Sequence, residues 1–160
     1  MTTAWRFGAA SEADFEPLLA LRIDVMREHL ERVFRYDPER ARRTFRGHFH
    51  EPGLRVILVD EVTTGCVGFR VGAGEIKLDS FYLDRRHHNT GLGTAILKVL
   101  LVEADALRLP IRLEVLNGSK ADRFYLRHGF LKLSQDAIEG IYERPVPISF
   151  PPSSAGEVAR

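Results

Sequence analysis

The chain has 160 residues, 44% hydrophobic and 28% charged, with a formal net charge of +1. These values fit one globular domain with a real core and exclude a disordered chain and a general polyanion binder, so no nucleic-acid partner is expected. No apolar run approaches the roughly 20 residues of a membrane span, Met1 to Arg6 lack a signal-peptide core, and Cys66 is alone; a reducing cytoplasm and no membrane are expected.

Trp5 to Ala9 reads as a first strand. Ser11 caps a helix with Asp14 in its first turn and an apolar face of Phe15, Leu18, Leu19, Ile23, Met26, Leu30 and Val33. Asp37-Pro38 opens a second helix, running to about Phe49, in the favoured N-cap and N1 arrangement. Arg55 to Val59 and Cys66 to Val71 form a hairpin joined around Asp60 to Gly65. Glu75 to Leu83 is a further strand. Gly91 to Arg108 is a helix apolar on nearly every side, which predicts full burial. Ile111 to Leu116 is a strand, Lys120 to Arg127 a short helix, and Phe130 to Ser134 with Ile138 to Arg144 a closing pair. The segment Pro145 to Ser154 carries four prolines and no periodicity, so residues 1–144 form one domain and 145–160 a tail. That tail is either a free end or a strap over a neighbouring subunit, in which case the protein is a homodimer. The order β-α-α-β-β-β-α-β-α-β-β predicts an α/β protein with a mixed sheet. The crossover from Glu75 to Leu116 makes its two strands parallel, and ligands bind at the carboxyl ends of such strands.

The richest segment joins that strand to the long helix: Phe81-Tyr82-Leu83-Asp84-Arg85-Arg86-His87-His88-Asn89-Thr90-Gly91-Leu92-Gly93-Thr94. Two glycines at a helix start leave unpaired N–H donors unshielded, and the macrodipole adds partial positive charge. Arg85, Arg86, His87 and His88 carry the same sign, and the combination suits a phosphate. A P-loop is excluded because no lysine follows Gly93. A dinucleotide fingerprint is excluded because Ile96 stands where its third glycine belongs.

His88-Asn89-Thr90-Gly91-Leu92-Gly93 resembles motif A of the GNAT N-acetyltransferase superfamily, written Gln/Arg-x-x-Gly-x-Gly/Ala. Histidine replaces the usual Gln or Arg and makes the charge at that position depend on pH near neutrality. Asn117-Gly118-Ser119-Lys120-Ala121-Asp122-Arg123-Phe124-Tyr125-Leu126-Arg127-His128-Gly129-Phe130 resembles motif B of the same superfamily, and the two blocks stand in the family's order. The resemblance implies the acyl-CoA N-acyltransferase fold, with one splayed parallel strand pair in a mostly antiparallel sheet. It implies transfer of an acetyl group from acetyl-CoA to a primary amine of a small molecule or peptide, by direct attack and without a metal. The cofactor-binding positions it carries over are Phe81, Tyr82 and Leu83 on the strand and His88, Asn89, Thr90, Gly91, Leu92, Gly93 and Thr94 in the turn.

Tyr125 matches the family tyrosine that protonates the departing thiolate, and a phenol stays protonated at neutral pH. Asn117 either bonds the pantetheine amides or orients the adjacent loop, or else fills the N-cap or turn role that Asn often takes. For the general base Asp79 stands first, ahead of Glu75 and Glu114, with a water relay as the other route. The first two helices carry His29, Glu31, Arg32, Arg35, Tyr36, Asp37, Arg40, Arg42, Arg43 and Arg46, either as a solvated face or as a source of arginines gripping an acceptor carboxylate. A non-catalytic CoA sensor is the alternative, and Tyr125 tilts against it.

Overall fold

The computed structural model describes residues 4–33 and 35–148; the tail from residue 149 onward and the side chain of Val33 lie outside the described residues. Seven strands form one sheet: β1 (Trp5–Ala9), β2 (Leu54–Val59), β3 (Val62–Val71), β4 (Ile76–Leu83), β5 (Ile111–Leu116), β6 (Leu131–Gln135) and β7 (Glu139–Arg144). Their order is β1-β2-β3-β4-β5-β7-β6, and β4/β5 is the parallel pair among antiparallel neighbours. The expected mixed sheet and element order are therefore present.

Helices α1 (Phe15–Val33) and α2 (Pro38–His50) cover one face of the sheet, and α3 (Leu92–Leu107) and α4 (Ala121–Leu126) cover the other. Strand alternation divides the core accordingly. Val56 and Cys66 join Phe15, Leu18 and Phe45 beneath α1 and α2; Ile57, Val67 and Phe69 join Ile96, Leu97 and Leu100 beneath α3. Asp37 caps α2 by accepting from the N–H groups of Glu39 (3.0 Å) and Arg40 (3.4 Å). The Asp14 carboxylate accepts from the Ser11 N–H at 2.8 Å and fixes the short turn that leads into α1.

Two elements differ from expectation. The β2–β3 turn is only Asp60 and Glu61, both at positive φ (50° and 65°), so Val62 to Gly65 belong to β3 rather than to a loop. That left-handed pair matches the twist of the flanking strands, and Thr63 and Thr64 are good strand formers. Helix α3 is buried on one face only: Val99 and Val102 are 44% and 69% exposed. Its all-round apolarity reflects composition, and one side still faces outward.

The sheet opens between β4 and β5. Their register holds only for Ile76 with Ile111 and Lys77 with Arg112, after which the strands diverge. On its other edge β4 carries a bulge: Gly68 pairs with Asp79, but Cys66 pairs with Tyr82. Ser80, buried and at φ 48°, absorbs the extra residue. The bulge reverses the alternation. Leu78 and Leu83 thus both face α3, while Asp79 and Tyr82 both face α1 and α2.

Candidate active site

The gap between the diverging strands holds a cavity of about 310 Å³ that reaches from Val25, Met26 and His29 on α1, across Ser80 to Leu83, to Ser119 and Tyr125. A second cavity of about 450 Å³, toward α2, shares Leu78, Asp79, Ser80, Tyr82, Leu113 and Glu114 with it and adds His48, Glu75 and Lys77. The two are mouths of one cleft. Among the described residues, the edge of β4 facing β5 has no strand partner beyond Lys77, so Phe81, Tyr82 and Leu83 present backbone to the opening.

At the carboxyl end of β4, a short 3₁₀ turn (Arg85–His87) leads to α3. Gly91 occupies the N-cap position at φ 88°, with no side-chain cap. The N–H groups of Gly93 and Thr94 in the first turn therefore have no intrahelical acceptor, and that of Leu92 has only a long contact of 3.4 Å to Thr90 Oγ1. Thr90 Oγ1 itself donates to His87 O at 2.7 Å and holds the turn closed. A Cβ on Gly91 would meet no protein atom within 4 Å, so the space over these donors is open. Asn89 (φ 59°) also takes the left-handed conformation. His88 places Nε2 2.7 Å from Leu83 O, which makes Nε2 the donor. Two basic residues expected to add charge are paired elsewhere: Arg85 with Asp24 at 2.8 Å, and Arg86 with Asp84 at 3.2 Å. With both arginines paired to carboxylates, the backbone dipoles remain at the turn, beside His87 and His88.

Tyr125 is 8% exposed, packed between Phe124 and Phe130 (ring centroids 5.1 and 5.2 Å away), and lines the first cavity. Burial, with nearby Tyr82 adding to it, pushes its phenol well above the ordinary tyrosine value, and no hydrogen bond among the described residues offsets this. Asn117 donates from Nδ2 to Asp136 O at 3.0 Å and accepts at its own carbonyl from Arg32 at 3.0 Å. It braces the turn between β6 and β7.

Asp79 faces the cleft, but both its oxygens are held by Arg70, at 2.8 and 2.9 Å, and the two side chains are only 14% and 6% exposed. Both oxygens that a base would offer to an acceptor are thus engaged by Arg70. Arg70 also donates to the carbonyls of Glu51, Pro52 and His48 (2.7, 3.1 and 2.9 Å), which ties the end of α2 to β4. His48 is thereby fixed beside Asp79 and lines the second cavity. Burial lowers its pKa despite the opposing charge of Asp79, favouring the neutral imidazole. Ligating atoms of His48, Glu51 and Asp79 lie within 4.8 Å of one another, but the Arg70 guanidinium sits against both carboxylates and supplies the positive charge there. His48 was not foreseen, although its spacing from Ala41 and Phe45 places it on the inner face of α2. Arg22, buried on α1 with its Nε 3.2 Å from the Tyr82 hydroxyl, was also missed. An arginine inside the stripe of Phe15, Leu18, Leu19 and Met26 was the available signal. Of the arginines named from sequence, Arg42 pairs with Glu16 and Arg46 with Glu12 on the surface.

A mixed sheet split at its parallel pair, with an uncapped helix start at the mouth of the split, is the architecture of an acyltransferase. Residues 20–130 match the profile described as "Acetyltransferase (GNAT) family", and the chain belongs to that family. Among solved structures it is similar to the PaiA N-acetyltransferase from Thermoplasma acidophilum in complex with coenzyme A. That likeness has a TM-score of 0.69 at 16% identity and covers 89% of this chain and 99% of the other. It is also similar to PH1933 from Pyrococcus horikoshii (TM-score 0.71, 17% identity, 91% and 100% covered). Ard1 from Thermoplasma volcanium gives a TM-score of 0.67 at 19% identity, with 91% and 99% covered. No match is found among curated protein sequences.

Proposed function

We propose that the protein transfers an acetyl group from acetyl-CoA to a primary amine. The observation that carries this reading is the alignment of three features along one cleft: the open donors at the start of α3, the unpartnered edge of β4, and the Tyr125 hydroxyl. The first suits a pyrophosphate, the second the amides of a pantetheine arm, and the third a sulfur at the far end of that arm. A similar structure was solved with coenzyme A, which supports the choice of donor. When bound, acetyl-CoA supplies the activated acyl carbon as a thioester. His48, beside Asp79 at the second mouth of the cleft, takes a proton from the acceptor ammonium so that its nitrogen can attack the acyl carbon. The C–N bond forms as the C–S bond breaks; Tyr125 gives its proton to the sulfur, and the second proton of the attacking nitrogen passes to the Tyr125 oxygen, which leaves a neutral amide and a neutral phenol. A CoA sensor would need the turn but neither Tyr125 nor His48 in the cleft. Incubation with acetyl-CoA and a panel of amines should release CoA thiol only with certain amines, with the acetylated amine seen by mass spectrometry. Acetyl-CoA binding without turnover on any amine or peptide would favour the sensor.

A further inference from the structure

The first cavity of the cleft, with Tyr125 in its wall, is lined largely by apolar side chains, Val25, Met26, Leu113 and Leu116 among them, and by no lysine or arginine. Its two carboxylates are Asp79 and Glu114. Arg70 holds both oxygens of Asp79, so that charge is already met. Glu114 differs: among the described residues no lysine or arginine pairs with it. It also lines the second mouth, where His48 sits, and is thus common to both cavities. The cations of that mouth are placed differently. Arg112 is shared between Glu75 at 3.4 Å and Glu143 at 3.1 Å, and Lys77 lines the second mouth without pairing with Glu114. On β7, Glu139 stands on the same face as Glu114, two residues before its register partner Ile141. Burial, and then the nearby charge of Glu114, raise the Glu139 carboxyl, so a second acidic group rather than a base adjoins Glu114. The Glu114 side chain is exposed in the free protein, where solvent satisfies it. A neutral ligand filling the cavity would strip that solvent at a cost, whereas a cationic one would replace it.

We propose that the acceptor is a small diamine, whose second ammonium is held by Glu114 while its first nitrogen is acetylated in the same cleft. The inference rests on the acetyltransferase reading. Apolar walls with one charged group to fix orientation suit a chain of methylenes between two nitrogens. The test offers the full chain and acetyl-CoA straight-chain primary amines of equal length whose far end is a methyl, a hydroxyl, an ammonium or a carboxylate, and reads kcat and KM from CoA release. At one length or more the diamine should exceed the methyl- and hydroxyl-ended amines in kcat/KM by about 10- to 100-fold per nitrogen, the range for a hydrogen bond to a charged group. The carboxylate-ended amine should be the poorest. In Glu114→Gln the diamine advantage should vanish, with the loss mainly in KM, and Glu114→Asp, which keeps the charge, should retain part of it. Equal kcat/KM for the four ends in the wild type, a preference for the carboxylate end, or a diamine advantage that survives in Glu114→Gln would overturn the proposal. The wild-type series decides it even if the variants fail to fold. No CoA release with any amine would instead overturn the acetyltransferase reading. Calorimetry of the diamine without donor would then still decide the role of Glu114: binding to the wild type that is lost in Glu114→Gln supports it, and equal or absent binding overturns it.

Discussion

Tyr125 and His48 line the two mouths of one cleft, and burial raises the phenol and lowers the imidazole, so near neutral pH the phenol keeps its proton and the imidazole is neutral. Tyr125→Phe keeps the ring between Phe124 and Phe130, so packing survives while the proton for the sulfur is lost. Turnover should fall ~10²- to 10⁴-fold with the acetyl-CoA dissociation constant unchanged, the signature of an interaction made in the transition state. A variant within twofold of wild type on a true acceptor would return Tyr125 to a packing role. His48 predicts an acid limb. A base acts when unprotonated, so with a folded pKa below the ordinary value of 6.5, kcat/KM should hold through neutral pH and drop only below that value. The sign is the same for stability. The unfolded state takes up the proton first as pH falls, so the contribution of His48 is full above the unfolded pKa and is lost through the folded one. His48→Gln should remove the acid limb of the rate profile; an unchanged limb would assign it elsewhere. Tyr125 was legible because its neighbours Asn117, Ala121, Gly129 and Phe130 form a block of fixed spacing. His48 and Arg22 were not, because their meaning comes from what lies across the sheet: Asp79 for one, Tyr82 for the other.

At the scale of elements, the start of α3 separates two roles of glycine. Gly91 needs its positive φ, whereas Gly93 lies within the helix, where an added Cβ would make ordinary contacts of 3.7 and 3.8 Å with Leu83 and Phe124. Gly93→Ala should therefore raise the stability of the free protein by about 0.5–1 kcal/mol and leave acetyl-CoA binding nearly intact. Gly91→Asn should do the opposite. Asparagine tolerates the left-handed conformation better than other side chains, so thermal denaturation of the free protein should change little. Its amide fills the open space over the helix donors, so the stabilisation by acetyl-CoA should be lost. Equal ligand-induced shifts in wild type and Gly91→Asn would mean the phosphates lie elsewhere. This turn was readable because glycine spacing and a strand-to-helix switch are local. The bulge at Ser80 was not: it is set by the pairing of β4 with β3, and it decides which side chains meet. Glu75 and Asp79 line the same mouth, because the bulge falls after Asp79. What the sequence could not show is Arg70, which reaches from β3 to hold both oxygens of Asp79.

Across the whole molecule, the sheet is two halves joined by little backbone. Strands β1 to β4 are hydrogen-bonded along their lengths, as are β5 to β7, but only Ile76 and Lys77 link β4 to β5 in register. The core beneath α3 spans the seam with Leu78 and Leu83 on one side and Leu113 and Val115 on the other. Packing therefore holds the halves together while the backbone between them stays open, and a ligand bonded to that backbone would act as a missing strand. Two consequences follow for acetyl-CoA. Binding only the native state at a hundred times its dissociation constant, it should add about 2.7 kcal/mol of stability. The protection it confers should also be local. Without ligand, amide hydrogens from Leu78 to Leu83 that face the cleft, and those of Leu113 to Leu116 that face β4, should exchange faster than the paired amides of β3 and β7. With acetyl-CoA those same amides and the first-turn amides of α3 should slow most. Uniform slowing across the sheet would show that the ligand stabilises only through the global equilibrium and contacts no strand edge. Slowing confined to the start of α3 would leave the phosphate turn in place and remove the pantetheine arm from the cleft, and with it the route by which the thioester would reach Tyr125.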